Sequence, residues 1–464
     1  MMSFPRILLI LPVLLLAGCV NLAPTYEQPL APVPSQWSST STGQASVEIS
    51  WQQFFLDPQL KKVIERALVN NRDLRVAALN VDKAQAQYRI QRAELLPAVS
   101  ASASGSHSRT PSSLSSSGVA GTSHQYSVEL GFSSYELDLF SRVRNLSDAA
   151  LEDYLALAQT QRSTQISLVA EVANAWLTVA ADRGLLQLAE ETLSSQQASY
   201  QLQQRSHELG NTSGLALAQA QTTVETARGD VANFRSQVQV DINALNLLAG
   251  ESLPEALLPK ALADDSAQLL SIPSGLSSNL LLQRPDVLAA EHSLKAANSD
   301  IGAARAAFFP SISLTAIGGT SSTELSSLFK AGSGAWNFAP SISLPIFNAG
   351  SNRANLDAAK SETAIQIATY EKSIQTAFQE VADALAVRST LAERLDAQQA
   401  LTAATAQSYK LADALYRNGA SSYLDALDSQ RELYTARQNL IGLQLTEQSN
   451  RITLYKVLGG GVGE

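Results

Sequence analysis

The chain has 464 residues, is 45% hydrophobic and 16% charged, and carries a net charge of −9. Mild acidity without a basic block excludes a nucleic-acid partner, because nothing is present to neutralise phosphates. One cysteine excludes an intrachain disulfide and leaves almost no scope for thiolate metal sites.

Residues 1–18 read as a lipoprotein signal peptide. Arg6 supplies a small positive start, Ile7 to Leu16 is almost wholly apolar, and Leu16-Ala17-Gly18 precedes the only cysteine, Cys19. Small residues before a cut suit a signal peptidase. A cysteine just after them is where a bacterial lipoprotein receives its lipid; the alternative is an ordinary signal peptide with an incidental cysteine. Several acyl chains at roughly 0.8 kcal/mol per buried methylene make a stable anchor. Aspartate is absent from Val20 and Asn21, which favours the outer membrane. No apolar run of 18 follows Cys19, so no transmembrane helix is expected.

Residues 19–55 form an extended strap containing Pro24, Pro29, Pro32 and Pro34. Residues 56–250 form a first structural repeat. Asp57-Pro58 signals a helix start, and Leu60, Val63, Ile64, Ala67 and Leu68 give a short amphipathic helix. After Asn70-Asn71-Arg72 a second helix runs from about Asp73 to Glu94. Alternating residues then predict strands at about 98–105 and 126–140, with a Ser/Gly-rich loop between them. A long helix follows from near Arg144 to Glu208, roughly 100 Å at 1.5 Å per residue. Gly210 breaks it into a hairpin.

After a proline-rich connector at 251–283, residues 284–459 repeat the plan, with strands at about 310–317 and 335–347, and residues 460–464 form a Gly-rich tail. The repetition is direct. Asp73–Ser100 shifted by 213 falls on Asp286–Ser313, and Leu168–Gly250 shifted by 209 falls on Ala377–Gly459 without a gap. Leu433, Ala436, Leu440 and Leu443 have the 3–4 spacing of a packed coiled-coil stripe.

Four strands per chain constrain the assembly. A strand crosses a bilayer only inside a closed barrel, and the smallest known barrels have about eight strands. Membrane strands would therefore have to be pooled among copies. The alternative is a soluble β-layer packed on the helices.

Several stretches now point to a family. These are Cys19 behind its lipobox, Trp51 with Phe54-Phe55-Leu56-Asp57-Pro58-Gln59-Leu60, and Asn71-Arg72-Asp73-Leu74. Glu136-Leu137-Asp138-Leu139-Phe140, Gln283-Arg284-Pro285-Asp286-Val287, Phe309-Pro310 and Leu344-Pro345-Ile346-Phe347 complete the set. Together they resemble the outer membrane factors, the TolC-like exit ducts, and within them the lipoprotein (NodT-type) branch serving resistance–nodulation–division pumps. The resemblance implies a mainly α protein with membrane β. It would be a homotrimer whose four strands per chain form a 12-stranded barrel and whose helices form a 12-helix periplasmic tunnel. It implies no enzymatic activity and no cofactor beyond the covalent lipid on Cys19. Its partners would be a periplasmic adaptor and an inner-membrane pump, and its cargo drugs or other small toxic compounds.

The resemblance also implies a periplasmic gate. The family pattern reads here as Tyr416-Arg417-Asn418-Gly419, then Leu424-Asp425-Ala426-Leu427-Asp428. Leu424 and Asp428 share a helical face. Three-fold symmetry would make rings of them, and one carboxylate pair at about 6 Å costs roughly 3 kcal/mol at an effective dielectric near 20. Arg431 is a candidate counter-ion or a surface charge, and Asp425 and Asp428 could equally be solvated helix charges. The first hairpin has Ala216 and Gln219 where the second has Asp425 and Asp428.

Other readings remain open at this point: a duct for secreted proteins or for metal ions, or a structural envelope lipoprotein without a channel. No G-x-S-x-G, P-loop, H-E-x-x-H or C-x-x-C motif supports an enzyme. The four histidines, His107, His124, His207 and His292, lie scattered along the sequence; His207, near a hairpin tip, is a surface residue or a pH sensor.

Overall fold

A computed structural model describes residues 20–34, 49–260, 262, 269–270 and 278–460. Cys19, the leader before it, residues 35–48, much of the connector and the end of the tail lie outside the described residues.

After a single turn at Trp51–Phe54 come α1 (Pro58–Asn70), α2 (Arg72–Ala93), β1 (Ser100–Thr110), β2 (Gly121–Glu136), α3 (Arg142–Glu208) and α4 (Gly214–Ala249). The second half supplies α5 (Pro285–Ala306), β3 (Ser311–Ser322), β4 (Gly334–Ser343), α6 (Ser351–Arg417) and α7 (Tyr423–Val457). Both long helices, α3 and α6, have 67 residues, about 100 Å each.

The chain divides into two compact units, and each takes segments from both sequence repeats. One comprises Met1–Leu30, Asn80–Leu157 and Ala289–Tyr370; the other Ala31–Leu79, Ala158–Leu288 and Glu371–Glu464. The sequence repeat is therefore not the unit of packing. Each repeat contributes helices long enough to supply residues to both units.

The first unit contains an antiparallel sheet in the order β1-β2-β3-β4. The strands differ from expectation. β1 reaches Thr110 and β3 reaches Ser322, beyond 98–105 and 310–317, because serine, threonine and histidine in the loop continue the ladder. β2 begins at Gly121 and ends at Glu136, where Ser134 (φ 57°) forms a bulge, and β4 stops at Ser343 before Pro345.

Within that sheet Ser100, Ser102, Ser104 and Ser106 lie on one face, opposite Gly131, Glu129, Ser127 and Gln125. The other face is apolar and open: Leu130, Trp336, Phe338 and Ile342 are each more than half exposed. Gly131 and Gly319 allow β2 and β3 to approach, since an added Cβ would lie 2.2 Å and 2.1 Å from the facing carbonyl oxygens. The edges of β1 and β4 have no partner strand among the described residues. A short sheet with two open edges and a bare apolar face is a sheet that needs other chains or lipid.

The strap lies along one face of α5. Arg305 donates to the Leu22 carbonyl (2.9 Å), Asn298 to the Pro24 carbonyl (2.8 Å), and the Tyr26 hydroxyl to Glu291 (3.2 Å). Gly302 leaves room for it, because a Cβ there would be 2.8 Å from Ala23.

The second unit is built on helices. Asp57 caps α1 by accepting from the Gln59 and Leu60 amides, and Leu60, Val63, Ile64 and Ala67 are buried. Phe54 stacks on Tyr455 with ring centres 4.3 Å apart. Gly250 has φ 74°, and a Cβ would lie 2.3 Å from the Asn70 carbonyl, so the end of α4 docks against the end of α1 only with glycine there. Arg284, nine-tenths buried, joins Asp286 (2.7 Å), Glu380 (2.8 Å) and the Val457 carbonyl (2.7 Å). Among the described residues no helix is long and apolar enough to cross a membrane.

Candidate gate at the hairpin tips

The two helical hairpins turn by the same device. At the first, Gly210 (φ 76°) donates to the His207 carbonyl and Asn211 to the Ser206 carbonyl. At the second, Gly419 (φ 71°) donates to Tyr416 and Ala420 to Leu415. This nested pair is the Schellman closure, and it requires the left-handed backbone that glycine adopts without strain. A serine cap then starts each return helix: Ser213 accepts from the Ala216 amide (3.2 Å) and Ser422 from the Asp425 amide (3.3 Å).

There the equivalence ends. Asp425 completes a capping box that Ala216 cannot. Its Oδ2 accepts from the Ser421 hydroxyl (2.6 Å), the Ser422 hydroxyl (2.9 Å) and the Ser422 amide (3.2 Å). The hydroxyls of Ser421 and Ser422 hold its carboxyl below the ordinary aspartate value. Asp425 is thus engaged locally at the helix start. Asp428, three residues on, meets Arg431 at 3.3 Å, with both side chains more than half exposed. An exposed pair of this kind contributes only about 0–1 kcal/mol, so Arg431 does not immobilise Asp428. Leu424 is 45% exposed, one turn before Asp428 on the same face.

Tyr416 stands behind this tip. Its hydroxyl is hydrogen-bonded by Gln203 Nε2 from α3, and its ring meets Tyr423 edge-on at 5.5 Å. Burial raises its hydroxyl above the ordinary tyrosine value, with Asp413 adding to the effect. Further along, Gln196 donates to Gln430 (2.8 Å), Gln430 donates to Ser195 (3.2 Å), and Thr223 donates to Gln196 (2.7 Å). Gln196 and Gln203 are almost fully buried. This glutamine layer joins the hairpins through hydrogen bonds that do not depend on charge. The sequence expectation missed it, although glutamine at seam positions among alanine and leucine was its signal.

The outer membrane efflux protein family profile matches residues 63–251 and again 276–460, once in each half of the chain. The chain belongs to the outer membrane efflux protein family. It is 52% identical to the toluene efflux pump outer membrane protein TtgC of Pseudomonas putida over 454 residues, covering 96% of this chain and 93% of that protein. It is 45% identical to the cation efflux system protein CusC of Escherichia coli over 455 residues, 97% of each. The solved CusC structure superposes with a TM-score of 0.86 over 95% of this chain and all of that one. The open-state MtrE outer membrane channel of Neisseria gonorrhoeae gives 0.86 at 41% identity, covering 95% and 98%.

The fold class follows. This is a TolC-like channel chain, with four strands in a shared twelve-stranded trimeric barrel and long hairpins in a twelve-helix tunnel. The open sheet edges and bare apolar face then have their explanation, since neighbouring chains cover the edges and lipid the face. The protein is an outer-membrane exit channel for efflux, in a family of channel proteins. The soluble β-layer and the structural tether are set aside.

Proposed function

We propose that this chain is the last stage of a tripartite system that expels small organic toxicants, and that the α6–α7 tip is its periplasmic gate. The observation supporting the gate is the break in repetition: Asp425 and Asp428 stand where the first hairpin has Ala216 and Gln219. In a trimer Leu424 and Asp428 repeat three times around one axis. Leu424 supplies an apolar constriction, and Asp428 a carboxylate ring that attracts cations or a basic adaptor surface. Asp425 sets the start of α7, and Tyr416 with the glutamine layer holds it against α3. Arg431 moderates the ring.

Cys19 carries the lipid anchor in this reading. A periplasmic adaptor and a resistance–nodulation–division pump deliver the cargo. Organic cargo is favoured because the 52% identical relative is named for toluene efflux.

Single-channel conductance of the purified trimer tests the gate. Asp428→Ala, and more strongly Asp425→Ala with Asp428→Ala, should increase open conductance. Ser422→Ala loosens the cap without removing charge and should change it less. Unchanged conductance in the double variant rejects the gate. Susceptibility of a deletion strain to solvents, drugs and metal salts tests the cargo; sensitivity to metals alone rejects the organic reading.

A further inference from the structure

The four histidines are scattered in sequence but not all in the fold. His107 on β1 and His124 on β2 are direct partners across the ladder. Their Nδ1 atoms face each other within hydrogen-bond reach, and their rings meet edge-on with centres 4.6 Å apart. Both side chains are exposed. The other two are engaged elsewhere: His207 with the Thr212 carbonyl at 3.0 Å, His292 with Glu152 at 2.6 Å.

We propose that His107 and His124 form a two-nitrogen site for a borderline divalent transition-metal ion, of the copper(II), nickel(II) or zinc(II) class. Imidazole is the ligand these ions prefer, whereas magnesium and calcium select oxygen. Directly opposed positions on an antiparallel pair hold the two Cβ atoms about 4.5–5.5 Å apart, so the backbone brings the donors together before any ion arrives. Two nitrogens at about 2.0–2.1 Å from one ion stand roughly 3.3 Å apart in a tetrahedron, a separation that small χ rotations of exposed rings can reach. The ion replaces the proton shared between the two Nδ1 atoms, and that proton moves to Nε2 of its own ring. Water completes the coordination, since no group of three or more ligating side chains occurs among the described residues.

The surroundings define where the ion sits. The pair shares its sheet face with Gly105–Tyr126, Ala103–Val128 and Ala101–Leu130. The Tyr126 ring lies 5.5 Å from His107. The site therefore follows the apolar stripe on the turn side, where β1 and β2 approach the 111–120 connection. A bound ion would tie these strand ends together.

The test uses the full-length, tag-free trimer in detergent. Titration with nickel(II) and zinc(II) by calorimetry should show one ion per chain, and magnesium(II) should show none. His107→Ala and His124→Ala should each abolish that binding, while His207→Ala keeps it. Copper(II) resonance spectra of the unaltered protein should show superhyperfine splitting from two equivalent nitrogens, a readout independent of how the variants fold. Absence of binding to the unaltered trimer, full binding by the double variant, or a spectrum without that splitting overturns the site.

Discussion

Asp182 on α3 faces Asp241 on α4, and burial first, then the hydrogen-bonding capacity and charge of that second carboxyl, push its pKa up to about 7. The folded chain thus holds a proton that the unfolded chain releases near pH 4. The stabilisation from this shared proton is fully present below about pH 4 and is lost as pH rises through about 7. Asp182→Asn keeps a donor towards Asp241 and cannot ionise. A shift of about three pKa units corresponds to about 4 kcal/mol at most. Asp182 is only half-buried, and solvent screening reduces this to about 1–2 kcal/mol. Helix opening at α3 and α4 should therefore be about tenfold rarer in Asp182→Asn than in the unaltered protein at pH 8. The two should agree at pH 4.5. Hydrogen–deuterium exchange of peptides around residues 182 and 241, corrected for intrinsic rates, measures this. Equal protection at pH 8, or the same difference at both pH values, refutes the shared proton.

Other substitutions probe the parts described above. Arg284→Met leaves Asp286, Glu380 and the Val457 carbonyl without their partner; because both carboxylates reach solvent, it should cost about 1–2 kcal/mol in denaturant unfolding. Gly131→Ala forces a Cβ to within 2.2 Å of the Ala316 oxygen and should abolish detergent-resistant trimers. Gly334→Ala, with nothing within 4 Å, should not. Glu129 lies on the polar sheet face and makes no ion pair among the described residues, whereas Glu136 is held by Arg142 at 2.6 Å. Glu129→Gln should therefore lower the cation preference of the pore, read as a reversal potential across a salt gradient.

The sequence by itself determined what depends on neighbours a few residues apart. Asp57 had to cap α1, Gly210 and Gly419 had to close hairpins, and the 67-residue helices followed from unbroken patterning. The exact repeat offset fixed which residues are equivalent, and so where Asp425 and Asp428 break the equivalence. Strand ends were less legible, because serine- and glycine-rich segments fit a loop and a pore-facing strand equally well.

Only the tertiary structure decided pairings between distant segments. Asp425 turned out to be engaged at its own helix start, while Arg284 gathers groups from α5, α6 and α7. Asp182 met Asp241, Gln196 met Gln430, and His107 met His124. The physical reason is the same in each case. Caps and turns satisfy backbone groups within one turn of chain, so composition fixes them locally. A polar side chain on a long seam or strand finds its partner through register and packing, and one residue of slip would give it a different one.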